Sequence, residues 1–461
     1  MSLIMKFPDI LRESRKMYED QLSQEKITDF YLTERMGNQS ASWPKAGNLL
    51  VRGDNADCML WLAKNPDVSG KLKLIYVDPP FFTRANYGAE MKLRSDKVKK
   101  IPAVRQRAYS DTWENGMEEY LKMLAFRFYL MKGLLADDGC LWVHLDWHAV
   151  HYVKVLLDEI FGEKHFINEV VWQYKSGGAS KRTFARKHDT LLFYSKTDKY
   201  YFLPQKEKSY NRGLKPYRFK GVKEYRDEVG WYTMVSQKDV WQIDMVGRTS
   251  SERTGYVTQK PEALLMRILE SCTREGDLCA DFFGGSGTLA AAAEKMGRRW
   301  ISCDSGRLAT VNTYGRMAAQ QAAFDLYEAA DSACLQKEQE PQIYLSAVRK
   351  KDSVLSREVL EIQITGYEPG SFRELPIDGK YLSAVKEAAE TDPLQFIACW
   401  SADCRYDGKT YRPQVCFCRE NGNVKTSYTA FADGFEMAAV RVTDIFGRAV
   451  FLTVKPVLAK E

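Results

Sequence analysis

The stretch that most constrains the fold is Ala280-Asp281-Phe282-Phe283-Gly284-Gly285-Ser286-Gly287-Thr288. It lies between a short apolar run, Leu278–Phe283, and a helical pattern reaching about Lys295. Glycines at such a junction let the backbone take positive φ and approach a ligand closely. The next strand, Arg299–Asp304, ends in an acid placed to bond a ribose's hydroxyls. Together they require an α/β unit and fit an adenosine-containing cofactor. No Gly-Lys-Ser/Thr follows the turn, so it is not a phosphate loop. Gly285, Gly287 and Ala290 satisfy a dinucleotide fingerprint loosely, which leaves NAD open at this point.

The same alternation runs through the earlier part of the chain. Asn48–Arg52, Leu72–Val77, Cys140–Leu145 and Thr190–Tyr194 read as strands. Residues 7–36, Ala56 to about Lys64, 117–135, His148–Phe161 and Glu262–Glu275 read as helices, and 42–47 as a loop. Strands alternating with helices predict a parallel-rich sheet, which binds ligands at the carboxyl ends of its strands. From about Asp325 the pattern changes. Strand-like runs at Glu358–Gly366, Gln395–Trp400 and Val440–Val454, with a helix near Ser383–Ala389, predict a small α+β unit.

One strand end carries a second signal, Asp78-Pro79-Pro80-Phe81. Two prolines fix the backbone and remove two N–H donors. The carbonyls before them become free to accept from a ligand. Beside an Asp, such a carbonyl makes a pair of acceptors that matches the two donors of a nucleobase's exocyclic amino group. Phe81 supplies a flat apolar face for the base. A rigid strand-end turn needs neither the acid nor the aromatic.

Composition bounds the setting. A chain of 461 residues with 45% hydrophobic and 28% charged residues has the balance of a folded protein of two or three domains. No apolar run reaches the roughly 18 residues of a membrane helix. Residues 1–30 lack a signal peptide's apolar core. A cytoplasmic setting with reduced thiols is expected, since the ten cysteines show no framework spacing. The net charge of +6 is unevenly spread. Residues 331–461 hold 17 basic against 19 acidic side chains. Residues 174–225 hold 14 against 4, together with 11 aromatics, which suits a polyanion partner.

Taken together, the two motifs resemble those of the β-class DNA amino-methyltransferases, which use S-adenosylmethionine. The Pro-Pro turn Asp78–Phe81 precedes the glycine loop Phe283–Gly287 by about 200 residues, the permuted order of that class. Gly53-Asp54-Asn55 looks like the family's cofactor-adenine contact, and Thr258-Gln259-Lys260-Pro261 like its N-terminal cofactor motif. His144-Leu145-Asp146, Asp158–Gly162 and Lys187–Lys196 are similar to segments of bacterial modification enzymes, including type III modification subunits. The likeness spans roughly Asn48–Asp304. Phe81 stands where Tyr is commoner, which keeps stacking and loses a hydroxyl. Asp at position 78 resembles the adenine-N6 type more than the cytosine-N4 type.

The resemblance implies a seven-stranded Rossmann-like sheet with an inserted recognition region. The expected organisation is an N-terminal helical segment (1–40), a catalytic part (41–173), a target-recognition region (174–255), a cofactor-binding part (256–324) and a C-terminal α+β unit (325–461). It implies methyl transfer from S-adenosylmethionine to N6 of an adenine flipped out of double-stranded DNA. Asp78, Pro79, Pro80 and Phe81 would be catalytic. Asp54, Asn55, Thr258, Lys260, Pro261, Asp281, Phe282, Phe283, Gly284, Gly285, Gly287, Thr288 and Asp304 would bind the cofactor. A second copy and a separate restriction subunit are candidate partners, and no membrane is expected. The rival readings are cytosine-N4 or RNA methylation, a non-catalytic DNA-binding subunit, and an NAD-dependent oxidoreductase. His144, His148 and His151 read as sheet-to-helix packing rather than a metal site. Cys404, Cys416 and Cys418 lack a fourth ligand for zinc. Trp142, Trp147 and Trp172 are expected in the core.

Overall fold

The computed structural model describes residues 2–24, 28–37, 47–91, 104–175, 181–256, 258–330, 341–351, 357–372, 377, 379–419, 423–431 and 437–458. The loop expected at 42–47 falls almost wholly outside them. A ten-stranded sheet organises the chain, in the spatial order 30–36, 324–329, 48–52, 299–304, 278–281, 72–77, 135–145, 188–195, 166–173, 240–242. From 324–329 to 135–145 every neighbouring pair is parallel, and 188–195 runs against both its neighbours. The six strands read from the sequence are all there, and 166–173, which carried no such reading, joins them with 30–36, 324–329 and 240–242 to make ten, three more than the resemblance implied.

The parallel strands read as apolar runs because helices cover both faces. One face packs under the helices Asn55–Ala63, Met117–Leu134 and Val150–Phe161, with Leu121, Phe128 and Leu156 wholly buried. The other lies under Glu262–Cys272, Thr288–Lys295 and Arg307–Ala319, where Leu265, Ala291 and Met317 are buried. Trp142 stacks on Phe193 at 4.3 Å between ring centroids. Among the described residues no helix is long and apolar enough to cross a membrane.

Three sequence expectations are corrected by pairing. The helix read over 7–36 is a helix only at Leu3–Ser23. Phe30–Met36 is an edge strand, because it ladders antiparallel onto Phe324–Ala329. That partner strand pairs in turn with Asn48–Arg52, so the change of pattern near Asp325 is not the end of the main sheet. Val440–Val454 is two strands, Ala438–Asp444 and Ala449–Val454, folded back on each other.

The C-terminal residues form two four-stranded sheets with the helix Leu382–Thr391. They are bound to the main sheet by buried charge. Glu34, on the added edge strand, accepts from Tyr314 at 2.5 Å, Ser401 at 3.1 Å and Arg441 at 3.0 Å. Arg441 also reaches Glu328 Oε1 at 3.6 Å, an oxygen that Arg52 holds at 2.8 Å.

Residues 174–255 contribute 188–195 and 240–242 to the main sheet and carry a separate three-stranded sheet of 206–210, 231–236 and 224–226. That sheet and its connecting segments expose both aromatic and basic side chains, including Tyr210, Tyr217, Phe219, Lys220 and Lys223.

Candidate active site

Two adjacent parallel strands, Leu72–Val77 and Leu278–Asp281, end side by side. The Pro-Pro turn leaves the first and the glycine loop leaves the second, so segments about 200 residues apart in sequence meet in one cleft. The cleft has a volume of about 380 Å³. Asp78–Phe81, Asp281–Ser286, Asp54, Asn55, Thr258, Lys260, Thr288 and Asp304 all line it. Of the residues expected at the site, Pro261 and Gly287 do not reach its wall. Pro261 caps the helix Glu262–Cys272, and Gly287 caps Thr288–Lys295. Gly287 sits at φ +72°, and a Cβ there would lie 2.5 Å from the Thr313 hydroxyl. Only glycine meets both demands.

The glycine loop is braced from behind. Gly284 N donates to the Cys303 carbonyl at 2.9 Å, and Gly285 N to Asp304 Oδ2 at 2.8 Å. Gly306 N donates to Asp304 Oδ1 at 2.7 Å. Asp304 therefore fixes the loop as well as lining the cleft, and burial raises its carboxyl above the ordinary range. Asp281 accepts from Phe283 N at 2.9 Å. Burial, with Asp78 and Asp304 adding like charge, pushes its carboxyl up to about 8. Asp54 caps the helix Asn55–Ala63, and Asn55 donates to the Phe282 carbonyl at 2.8 Å.

On the catalytic side, Asp78 Oδ2 accepts from Lys260 Nζ at 2.5 Å. Its other oxygen, Oδ1, is buried and has no hydrogen-bond partner. An acceptor buried without a donor costs free energy unless a ligand supplies one. The Pro80 carbonyl is taken by Tyr120 at 2.8 Å. Phe81 lies on the cleft wall with its ring centroid 5.7 Å from that of His144.

Several residues of the site carried no recognisable signal in sequence. Asp111 is wholly buried and accepts from Phe82 N, Thr83 N, Thr83 Oγ1 and Trp113 Nε1 at 3.1, 2.6, 2.8 and 2.9 Å. It holds the backbone after the Pro-Pro turn, where Phe82 has φ +64° and Arg84 +58°. Non-glycine residues keep that conformation only when their surroundings impose it. Arg127 bridges Asn55 Oδ1 and Asp54 Oδ2 at 2.5 and 3.1 Å, and burial lowers its pKa. Tyr256, Trp113 and Tyr87 also line the cleft.

The histidines do not form a metal site together. His144 is buried between Tyr76 at 2.7 Å and Asp189 at 3.1 Å. Burial works to raise Asp189, but His144, Lys260 and Tyr174 outweigh it and hold its pKa low. His148 pairs with Asp146, and His151 is exposed on the helix surface. Among the described residues no group of three or more His, Cys, Asp or Glu is arranged to hold a metal. Trp142 and Trp172 are buried as expected, but Trp147 is 46% exposed. It lies past the carboxyl end of Leu135–Leu145 rather than under a helix, with the Arg186 guanidinium 3.9 Å from its ring centroid.

A Rossmann-like sheet with a Pro-Pro turn and a glycine loop facing each other across one cleft defines a group-transfer enzyme of the amino-methyltransferase class. The chain belongs to the DNA methylase family, whose N6/N4 methyltransferase model matches residues 72–309, and within it to the β class. It is 27% identical over 317 residues to the type II methyltransferase M.EcaI of Enterobacter cloacae, covering 56% of this chain and 67% of that one. It is 28% identical to the type II methyltransferase M2.DpnII of Streptococcus pneumoniae, covering 54% and 83%. A probable type III restriction-modification Mod subunit of Haemophilus influenzae is 24% identical, over 56% and 48%. Among solved structures, the PvuII DNA methyltransferase (cytosine-N4-specific) overlays with a TM-score of 0.40 at 16% identity, over 62% of this chain and 90% of that one.

Proposed function

We propose that this protein is a site-specific DNA methyltransferase that methylates the exocyclic N6 of an adenine flipped out of double-stranded DNA. Its cofactor is S-adenosylmethionine, which supplies an electrophilic methyl group. The residues fit that group. The buried carboxylates Asp281 and Asp304 suit a cationic cofactor bearing a ribose, and Gly284 and Gly285 line the same cleft.

The carrying observation is the unpartnered, buried Oδ1 of Asp78 beside the Pro-Pro turn. In this reading Asp78 Oδ1 accepts one hydrogen of the target amino group and the Pro79 carbonyl accepts the other. Phe81 stacks on the base. Asp78 holds the nitrogen in line and stabilises the positive charge that develops on it. Adenine rather than cytosine rests on the acid at position 78. Residues 174–255 are the recognition region: their lysines and arginines meet phosphates, and side chains from the small sheet read base edges.

Expression in a host lacking DNA methylation, followed by sequencing for modified bases and mass spectrometry of nucleosides, tests this. N6-methyladenine at one sequence is expected. N4-methylcytosine would overturn the base assignment, and unmodified DNA the activity. Asp78→Ala is expected to abolish transfer while cofactor binding survives.

A further inference from the structure

Lys260 stands in the segment that resembles a cofactor motif, yet its ammonium is turned to the catalytic turn. Nζ lies 2.5 Å from Asp78 Oδ2 and 5.1 Å from the centroid of the Phe81 ring. The side chains of Lys260 and Asp78 are only 10% and 18% exposed. A charge pair so placed is desolvated, and each member depends on the other. The carboxylate thus presents two unlike oxygens: Oδ2 is held by a cation, and Oδ1 is buried and unpartnered.

We propose that Lys260 is a positioning residue for the target amino group, not a ligand of the cofactor. Resting on the methyltransferase reading above, this assigns Lys260 one task. Its ammonium occupies Oδ2 and fixes the carboxylate so that Oδ1 alone is offered to the base. Among the described residues, the other titratable groups coupled to Asp78 are anionic when ionised. Tyr76 lies on its own strand, Tyr120 on the helix Met117–Leu134, and Asp281 on the neighbouring strand. Asp189, on the reversed strand, acts on Lys260 itself. None of them can substitute for the ammonium.

The test compares wild type, Lys260→Met, Lys260→Arg, Asp78→Asn and the double variant Asp78→Asn/Lys260→Met. Calorimetry with S-adenosylmethionine reads the cofactor site directly. Lys260→Met is expected to bind it as wild type does, and a loss of roughly tenfold or more would overturn the proposal. Turnover in Lys260→Met is expected to fall about 100-fold, the scale of a misplaced reacting group, with partial rescue in Lys260→Arg. A loss in Lys260→Arg as large as that in Lys260→Met would refute the role. Thermal melting serves whether or not DNA is methylated. The double variant should be less destabilised than the sum of the single variants, and simple additivity would show that the pair is not coupled. Wild-type protein inactive on DNA would sink the functional reading, while the calorimetric and melting results would still decide whether Lys260 serves Asp78 or the cofactor.

Discussion

Asp281 makes cofactor binding a proton-linked event. Its carboxyl is wholly buried at the end of Leu278–Asp281, has a single backbone donor, Phe283 N, and is pushed up to about 8. In the empty cleft at neutral pH it is therefore mostly protonated. A cationic cofactor favours the carboxylate, so binding expels the proton and affinity rises with pH up to about 8. With that pKa roughly 3% of the group is ionised at pH 6.5 and about 90% at pH 9, an affinity span of about 30-fold or ~2 kcal/mol. Calorimetry across this range, in buffers of different ionisation enthalpy, reads both the affinity and the proton released. The cofactor's own amino group titrates near ~8. The decisive quantity is therefore the difference between wild type and Asp281→Asn. A common pH slope in the two proteins would refute the reasoning. The sign for the empty protein's stability is opposite. A carboxyl raised on folding contributes stability that is complete below its unfolded pKa and is lost as pH rises through about 8. Asp281→Asn should thus raise the melting temperature above pH 8 with no cofactor present.

Three further outcomes are expected. Asp111→Ala leaves Phe82 N, Thr83 N and the Trp113 indole without their acceptor. Turnover should drop about 100-fold with cofactor binding retained, and unchanged turnover in a steady-state assay would contradict its hold on the turn. Replacing the exposed Lys215, Arg218 and Lys220 with Gln should weaken DNA binding and flatten the log–log salt dependence by up to ~0.9 for each phosphate no longer neutralised. An unaltered slope in fluorescence titrations would place the DNA elsewhere. Arg441→Met strands the buried Glu34, at a cost of ~3–5 kcal/mol. In a chain of this size that is a fall of roughly 3–5 °C in melting temperature. No fall by calorimetry would mean that the C-terminal unit is not held by this pair.

Most of the main sheet was legible because parallel strands buried on both faces must be apolar runs, and their turns must carry special backbone residues. Leu72–Val77 with its Pro-Pro turn and Leu278–Asp281 with its glycines are local statements, readable one segment at a time. The edge strand Phe30–Met36 was not legible. Its burial follows no clean alternation, and the buried Glu34 looks like a surface acid until Arg441, 407 residues away, is seen to pair with it. Asp111 was silent for the same reason. An isolated Asp between two polar residues announces nothing about the backbone donors that converge on it.

The sequence by itself determined which backbone turns could approach a ligand, which acid and aromatic could face an amino group, and where positive charge gathers. Those are properties of residue type and short spacing. Only the tertiary structure decided that Lys260 serves Asp78, that Asp111 holds the Pro-Pro turn, and that the C-terminal unit is bound to the main sheet. Each depends on charges brought out of water opposite partners far away in the chain. At that range the partner is chosen by strand order and packing, not by neighbouring residues.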